Sequence, residues 1–209
     1  GNLAPDGAVV KSTSISPDLF LEDGIYFHEG KARVFVDEES AIAAVKSVGN
    51  DRVLPGEVIV LVGRGPIGAG MPETAQITSA LKYTSALSRN VLITDGRFSG
   101  FSSGPCIGHV GPEALAGGPL AKLRDGDPVR IEIHKDKCKG TVNYVGPENF
   151  DVRPVHPDLR EDPDMPISVK LWAALQSTGG GTWGGCVPNA QEAIKRLTDQ
   201  LIQKEFDNE

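Results

Sequence analysis

The chain has 209 residues, 39% hydrophobic and 23% charged, the balance of a soluble globular protein with one large domain or two small ones. Its net charge is −7 and its basic residues are scattered, so no phosphate-neutralising stripe exists and nucleic acid is not an expected partner. No apolar run approaches the roughly 20 residues that span a bilayer, and no basic-then-apolar signal segment opens the chain, so no membrane contact is expected and the expected location is cytoplasmic.

The opening GNLAPDGAVVK starts on Gly1 and reads like the interior of a longer chain, so a fragment of a longer enzyme is the expectation. Ala8-Val9-Val10 is a short apolar piece. Ala32 to Val36 alternates around Val34 and Val36 and predicts a strand. Asp37 can then cap a helix through DEESAIAAVKSVG, whose acidic first turn suits the helix dipole, with Gly49 and Asn50 as its stop. Glu57 to Gly63 is a β-branched run and predicts a buried strand. After RGPIGAGMP, the stretch ETAQITSALKYTSALS places Ile77, Leu81 and Thr84 at helical spacing. Val91 to Thr94 predicts another strand, followed by the long loop TDGRFSGFSSGPCIGHVGP.

LRDGDP is a turn signal. Val129, Ile131 and Ile133 then alternate with polar residues as a half-exposed strand, with Thr141 to Val145 as its hairpin partner. Residues 151–166 are rich in Pro and Asp and read as an extended connection. A helix through SVKLWAALQ, the loop TGGGTWGGC and a last helix follow. Asn189 and Glu192 can cap that helix, and Ile194, Leu197 and Leu201, with Ile202 beside them, form its apolar stripe. Strands interleave with helices around a central hairpin, which predicts an α/β domain with a mixed, barrel-like sheet and outer helices. Residues 1–150 are expected to form the core and residues 151–209 an extension packed on the same domain.

Cys106, Cys138 and Cys186 show no CxxC pairing, which argues against a disulfide scaffold and against a self-contained zinc or iron–sulfur site. Two loops carry the chemistry. RGPIGAGMPE and TDGRFSGFSSGP each follow a strand, and each is rich in Gly with an Arg and other polar side chains. Ligands of α/β proteins sit beyond the carboxyl ends of strands, and glycine lets backbone N–H groups approach an anion. A carboxylate- or phosphate-bearing substrate fits this design; so do two tight turns. Neither a Walker loop nor GxGxxG is present.

GMPE, LITDGRFSG, GHVGPEALAGGP and LRDGD, in this order and spacing, resemble the C-terminal portion of the IlvD/Edd dehydratases, a family of dihydroxy-acid, 6-phosphogluconate and sugar-acid dehydratases. GNLAPDGAVVK matches as well. The tail, with HPDL and LWAALQSTGGGTWGGC, is most similar to the xylonate-type branch. The resemblance implies a swivelling β/β/α domain and a hydro-lyase that turns a 2,3-dihydroxy acid into a 2-keto acid. It implies an iron–sulfur cluster, with ligands on a missing N-terminal domain, and Mg²⁺. It places the catalytic base at Ser99 and a magnesium ligand at Glu73, expected in the first turn of its helix. Arg97, Asp95, Gly100 and Met71 are the candidate substrate-binding residues. The full-length protein is expected to be a homo-oligomer, and this chain alone is expected to be inactive.

Several residues admit two readings. Asp95 contacts substrate or closes an Asx turn. Arg97 faces substrate or pairs with Asp95. His109 is structural or catalytic, Cys106 a small buried residue or a ligand, and Trp183 a substrate cover or an anchor for the tail. A branched-chain dihydroxy-acid dehydratase, a cofactor-independent isomerase using Ser99 and Glu73, and a non-catalytic assembly domain are the alternatives.

Overall fold

A computed structural model describes the backbone of residues 1–206 and the side chains of residues 1–199. Among the described residues, seven strands form one sheet: β1 (Gly7–Val10), β2 (Ile25–Phe35), β3 (Val58–Leu61), β4 (Val91–Thr94), β5 (Cys106–Gly111), β6 (Pro128–His134) and β7 (Lys139–Tyr144). Their spatial order is β1-β5-β4-β3-β2-β6-β7. The run β5-β4-β3-β2 is parallel, and β1, β6 and β7 join antiparallel. The sheet curls into a half-barrel with helices outside, the mixed α/β architecture expected from the sequence.

The corner of the curl is β2. Its first part, Ile25 to Lys31, pairs with β6, and Ala32 to Phe35 pair with β3. Gly30 stands at the change of partner, where a Cβ would lie 2.2 Å from the Gly56 carbonyl oxygen, so no other residue fits this close approach. The sequence pattern predicts only the second part, because IYFHEGK shows no apolar alternation.

Two faces are buried. Val58 and Val60 of β3 point into the curl with Ile107, Ile131, Ile133 and Val142. Ile59 and Leu61 point the other way, onto α1 (Glu38–Lys46) and α3 (Ala75–Tyr83), with Ala41, Val45, Ile77 and Leu81. Each such Leu or Ile contributes about 1.5–3 kcal/mol by leaving water. Asp37 caps α1 as expected, accepting from the Ser40 N–H at 2.7 Å. A single turn, α2 (Pro66–Ala69), sits between β3 and α3.

The sequence reading misses β5, taking it as loop. Its glycines break the apolar pattern but let aromatic rings lie against the strand: a Cβ on Gly108 would come 2.8 Å from Phe98. The tail forms α4 (Ile167–Ser177) and α5 (Ala190–Phe206). α4 buries Ala173 and Gln176 and leaves Ile167 and Leu171 exposed. Asn189 accepts from the Glu192 N–H at 3.1 Å, but the Glu192 carboxylate turns to Arg196 at 2.8 Å instead of reaching back. Ile194 and Leu197 are exposed, so the expected stripe is not covered there; the side chains of Leu201 and Ile202 lie outside the described residues. Among the described residues, no helix is long and apolar enough to cross a membrane.

Candidate active site

Because β3 and β4 are adjacent and parallel, the loops that follow them leave the same edge of the sheet. Two carboxylates tie the start of these loops together. Asp95, the first residue after β4, is 1% exposed and accepts from the N–H groups of Gly63 (3.1 Å), Arg64 (2.8 Å) and Ala114 (2.9 Å). Burial raises its pKa, and these backbone donors oppose the rise. Its carboxylate faces inward, where it clamps the segments after β3 and β5. Glu113, just beyond β5, accepts from Ile67 at 3.0 Å and Gly68 at 3.3 Å. Burial pushes its pKa up to about 7, helped by the neighbouring Asp95 and opposed by the Ile67 and Gly68 N–H groups.

Farther out, the two loops are stitched directly. Glu73 and Arg97 form an isolated parallel bridge. The N–H and the hydroxyl of Thr74 both donate to the Arg97 carbonyl at 3.0 Å. Arg97 Nε donates to the Met71 carbonyl at 2.8 Å, and its guanidinium lies 3.8 Å from the Glu73 carboxylate. These two side chains are 50% and 48% exposed, so the ion pair adds no more than ~1 kcal/mol and the backbone stitch does the holding. Arg97 therefore pairs with Glu73, not with Asp95. Glu73 lies ahead of the helix expected to carry it, since α3 begins at Ala75 and the Glu73 backbone is drawn to Arg97. Met71 is buried with φ +57°, a left-handed conformation uncommon for a side-chain-bearing residue.

Two residues past Arg97, Ser99 is half-buried, and its Oγ accepts from the Phe101 N–H at 3.2 Å. Lys11 holds this loop, donating to the carbonyls of Gly100 and, at 3.3 Å, Ser102. Gly100 itself is exposed. Arg97 and Glu73 thus meet at the half-exposed surface where the two loops touch, Ser99 follows two residues later on the same loop, and Asp95 is buried. Sequence reading misses Lys11, Thr74 and Glu113 as parts of this arrangement. No local signal marks Lys11, which follows a strand at the far end of the sheet.

His109 sits in β5 with φ +52°, its N–H donating to the Gly96 carbonyl at 2.8 Å. Partial burial and the Arg97 charge hold its pKa below the ordinary histidine value, which favours a neutral imidazole. Trp183 donates from Nε1 to the His109 carbonyl at 2.8 Å. Its indole lies on Gly111, where a Cβ would fall 2.1 Å from Cδ1, so Trp183 fastens the tail to β5.

Glu73 offers a solvent-reachable carboxylate of the hard-oxygen kind that suits Mg²⁺. Among the described residues, no three His, Cys, Asp or Glu side chains gather as a metal site. The cysteines do not fit an iron–sulfur cluster. Cys106 is buried with its thiol pushed up to about 12 by burial, Cys138 is exposed, and the three do not converge.

Residues 1–157 match the family model described as dihydroxy-acid/6-phosphogluconate dehydratase C-terminal. The chain is 46% identical over 95% of its length to D-xylonate dehydratase YjhG of Escherichia coli (strain K12). It is 46% identical over 93% of its length to D-xylonate dehydratase YagF of the same organism. Against the dihydroxy-acid dehydratase of Clostridium novyi (strain NT) it is 46% identical over 73% of its length. It spans 32%, 31% and 26% of those three proteins, about a third or less of each. By the matched family model, and by the GMPE and TDGRFSG loops that the fold brings to one edge, the chain belongs to the IlvD/Edd dehydratase family, matching its C-terminal domain.

Proposed function

We propose that the chain is the C-terminal part of a hydro-lyase that dehydrates a 2,3-dihydroxy sugar acid to a 2-keto-3-deoxy acid. Ser99 is the base, Glu73 a magnesium ligand, and Arg97, Met71 and Gly100 line the substrate. Asp95 serves the substrate by holding the loops that bind it. The observation that carries this reading is the Glu73–Arg97 bridge, which keeps the two loops on one edge beyond β3 and β4. A sugar acid is favoured over a branched-chain dihydroxy acid because the xylonate dehydratase matches run through the tail, over 95% and 93% of the chain.

A free serine hydroxyl is a poor base and needs its alkoxide stabilised. Here the Phe101 N–H already donates to Ser99 Oγ, and the Lys11 ammonium is bound to the carbonyl of the next residue, Gly100. Arg97, two residues away, faces the open edge, where an anionic substrate carboxylate would be drawn. Ser99 Oγ, as its alkoxide, takes the C2 proton as the C2=C3 bond forms and the C3–O bond breaks; the departing hydroxide takes that proton from Ser99 and leaves as water, and the enol becomes the 2-keto acid by losing its hydroxyl proton and gaining one at C3. When bound, Mg²⁺ on Glu73 supplies charge that offsets the substrate carboxylate and steadies a developing oxyanion. The remaining metal ligands and the iron–sulfur cluster belong to the rest of a longer, cytoplasmic and oligomeric protein. Residues 1–150 and 151–209 form one domain of it.

The test is Ser99→Ala in the longer protein that contains this chain, assayed with D-xylonate and Mg²⁺. The expected result is a loss of about 10²–10⁴-fold in kcat with KM little changed, the range for removing a positioned general base. Turnover within about tenfold of the parent would exclude Ser99 as the base. This chain alone, under the same conditions, is expected to form no 2-keto acid.

A further inference from the structure

The residues from Ser99 to Ser102 form a turn that is pinned from several sides. The Ser102 N–H donates to the Ser99 carbonyl at 3.1 Å, and the buried Ser102 hydroxyl donates to the Thr78 hydroxyl at 3.3 Å. Lys11 donates to the carbonyls of Gly100 and Ser102. Just beyond, the Gly104 N–H donates to the Ser14 carbonyl at 3.0 Å, and the Ser14 hydroxyl donates to the Gly104 carbonyl at 2.8 Å. Phe101 is the third residue of this turn. It is 96% exposed, more than any other large hydrophobic residue among those described. The ring is left in solvent, so it stabilises nothing in this chain by burial. Its own N–H, however, donates to Ser99 Oγ at 3.2 Å.

We propose that Phe101 is a substrate-binding residue whose ring lies against the carbon chain of the sugar acid beyond C3. This inference rests on the reading of Ser99 as the base. A substrate that gives its C2 proton to Ser99 Oγ brings C2 to about 3–3.5 Å from that oxygen. The Phe101 nitrogen already lies 3.2 Å from the same oxygen, which puts the substrate's carbon chain within reach of the ring. Arg97 and Phe101 flank Ser99, two residues to either side. With C1 drawn toward the Arg97 charge, the carbons beyond C3 are left to the Phe101 side. Their C–H groups suit the face of a phenyl ring, which carries the negative part of its quadrupole. Gly100 keeps the surface beside the ring open: a Cβ there would meet no atom within 4 Å. Because the turn is already pinned, its backbone needs no ordering when the substrate arrives.

The experiment is Phe101→Ala in the longer protein that contains this chain, which removes the ring and keeps the N–H on Ser99 Oγ. KM for D-xylonate is expected to rise about fivefold or more with kcat little changed, the sign of a contact made equally in the ground and transition states. Phe101→Tyr, which keeps a ring, should restore KM. In a Ser99→Ala background, saturation-transfer NMR should mark the C4 and C5 protons of D-xylonate, and Phe101→Ala should weaken those marks relative to C2. An unchanged KM, a Tyr variant as poor as the Ala variant, or an equal loss of saturation at C2 would each overturn the proposal. So would a lowered melting temperature with KM unchanged, the result if the ring packs on the rest of the longer protein. A parent that does not turn over D-xylonate would overturn the dehydratase reading and this inference with it. Turnover by the parent without the changes expected of Phe101→Ala would overturn this inference alone.

Discussion

The Arg97 carbonyl accepts two hydrogen bonds from one residue, the N–H and the hydroxyl of Thr74, each at 3.0 Å. Thr74 is buried, so the hydroxyl has been withdrawn from water to make this contact. Through it the loop after β3 fixes the loop after β4, and Ser99 is placed two residues beyond the fixed point.

Thr74→Val removes the hydroxyl at nearly constant shape and keeps the N–H bond. The expected loss is about 1 kcal/mol, the net worth of one such bond, or a melting shift of roughly 2–4 °C for a chain of this size. In the longer protein, turnover should fall by more than stability does, because the loop carrying Ser99 is loosened. Thermal melts and kcat on the same variant check both. An unchanged melting temperature would mean that the hydroxyl bond contributes nothing.

Asp95 offers a sharper contrast. Asp95→Ala strands the N–H groups of Gly63, Arg64 and Ala114, at about 1–3 kcal/mol for each buried group left unpaired. The variant is expected to be severely destabilised or unfolded. Asp95→Asn keeps one acceptor oxygen and should fold with a smaller loss. Chemical denaturation of the pair measures the difference. Equal stability of Asp95→Ala and the parent would show that the clamp holds nothing.

These residues also mark how far the sequence alone reaches. The strands at Val58, Val91 and Pro128 are legible because β-branched runs or strict alternation signal burial without any knowledge of neighbours. The Asp37 cap is legible for the same reason, since its partner Ser40 lies one turn away. The two glycine-rich loops can be found, and their shared edge follows once two parallel strands are adjacent. The stitch cannot be found that way. Thr74 meets Arg97, Lys11 meets Gly100, and Glu113 meets Ile67 only because the sheet order runs β1-β5-β4-β3. Strand β5 hides because its glycines serve the rings of Phe98 and Trp183, not the strand's own apolar pattern.

Gly111→Ala tests that service. A Cβ there would lie 2.1 Å from Trp183 Cδ1 and 2.4 Å from Nε1, so the indole must leave the strand. Its hydrogen bond to the His109 carbonyl goes with it. The expected cost is about 1–3 kcal/mol, as for other overpacked sites. Tryptophan fluorescence should shift to the red, and proteolysis should reach the tail sooner. Unchanged fluorescence would mean that the indole does not rest on β5.

Glu113 gives the chain a pH dependence of definite sign. Its folded pKa, about 7, lies above its unfolded value of 4.5, so between these values the folded chain holds the proton more tightly. Stability from this group is full below the lower value, falls as pH rises through the window, and is gone above the upper one. The slope is at most about 1.4 kcal/mol per pH unit, with a ceiling of roughly 3 kcal/mol in all. Glu113→Gln is uncharged throughout and can still accept from the Ile67 and Gly68 N–H groups with its amide oxygen. Denaturant midpoints of parent and variant from about pH 5 to about pH 8 give the difference between them, which cancels the other carboxylates. That difference should move in favour of the variant as pH rises. A constant difference across the window would show that the Glu113 carboxyl titrates alike in the folded and unfolded chain.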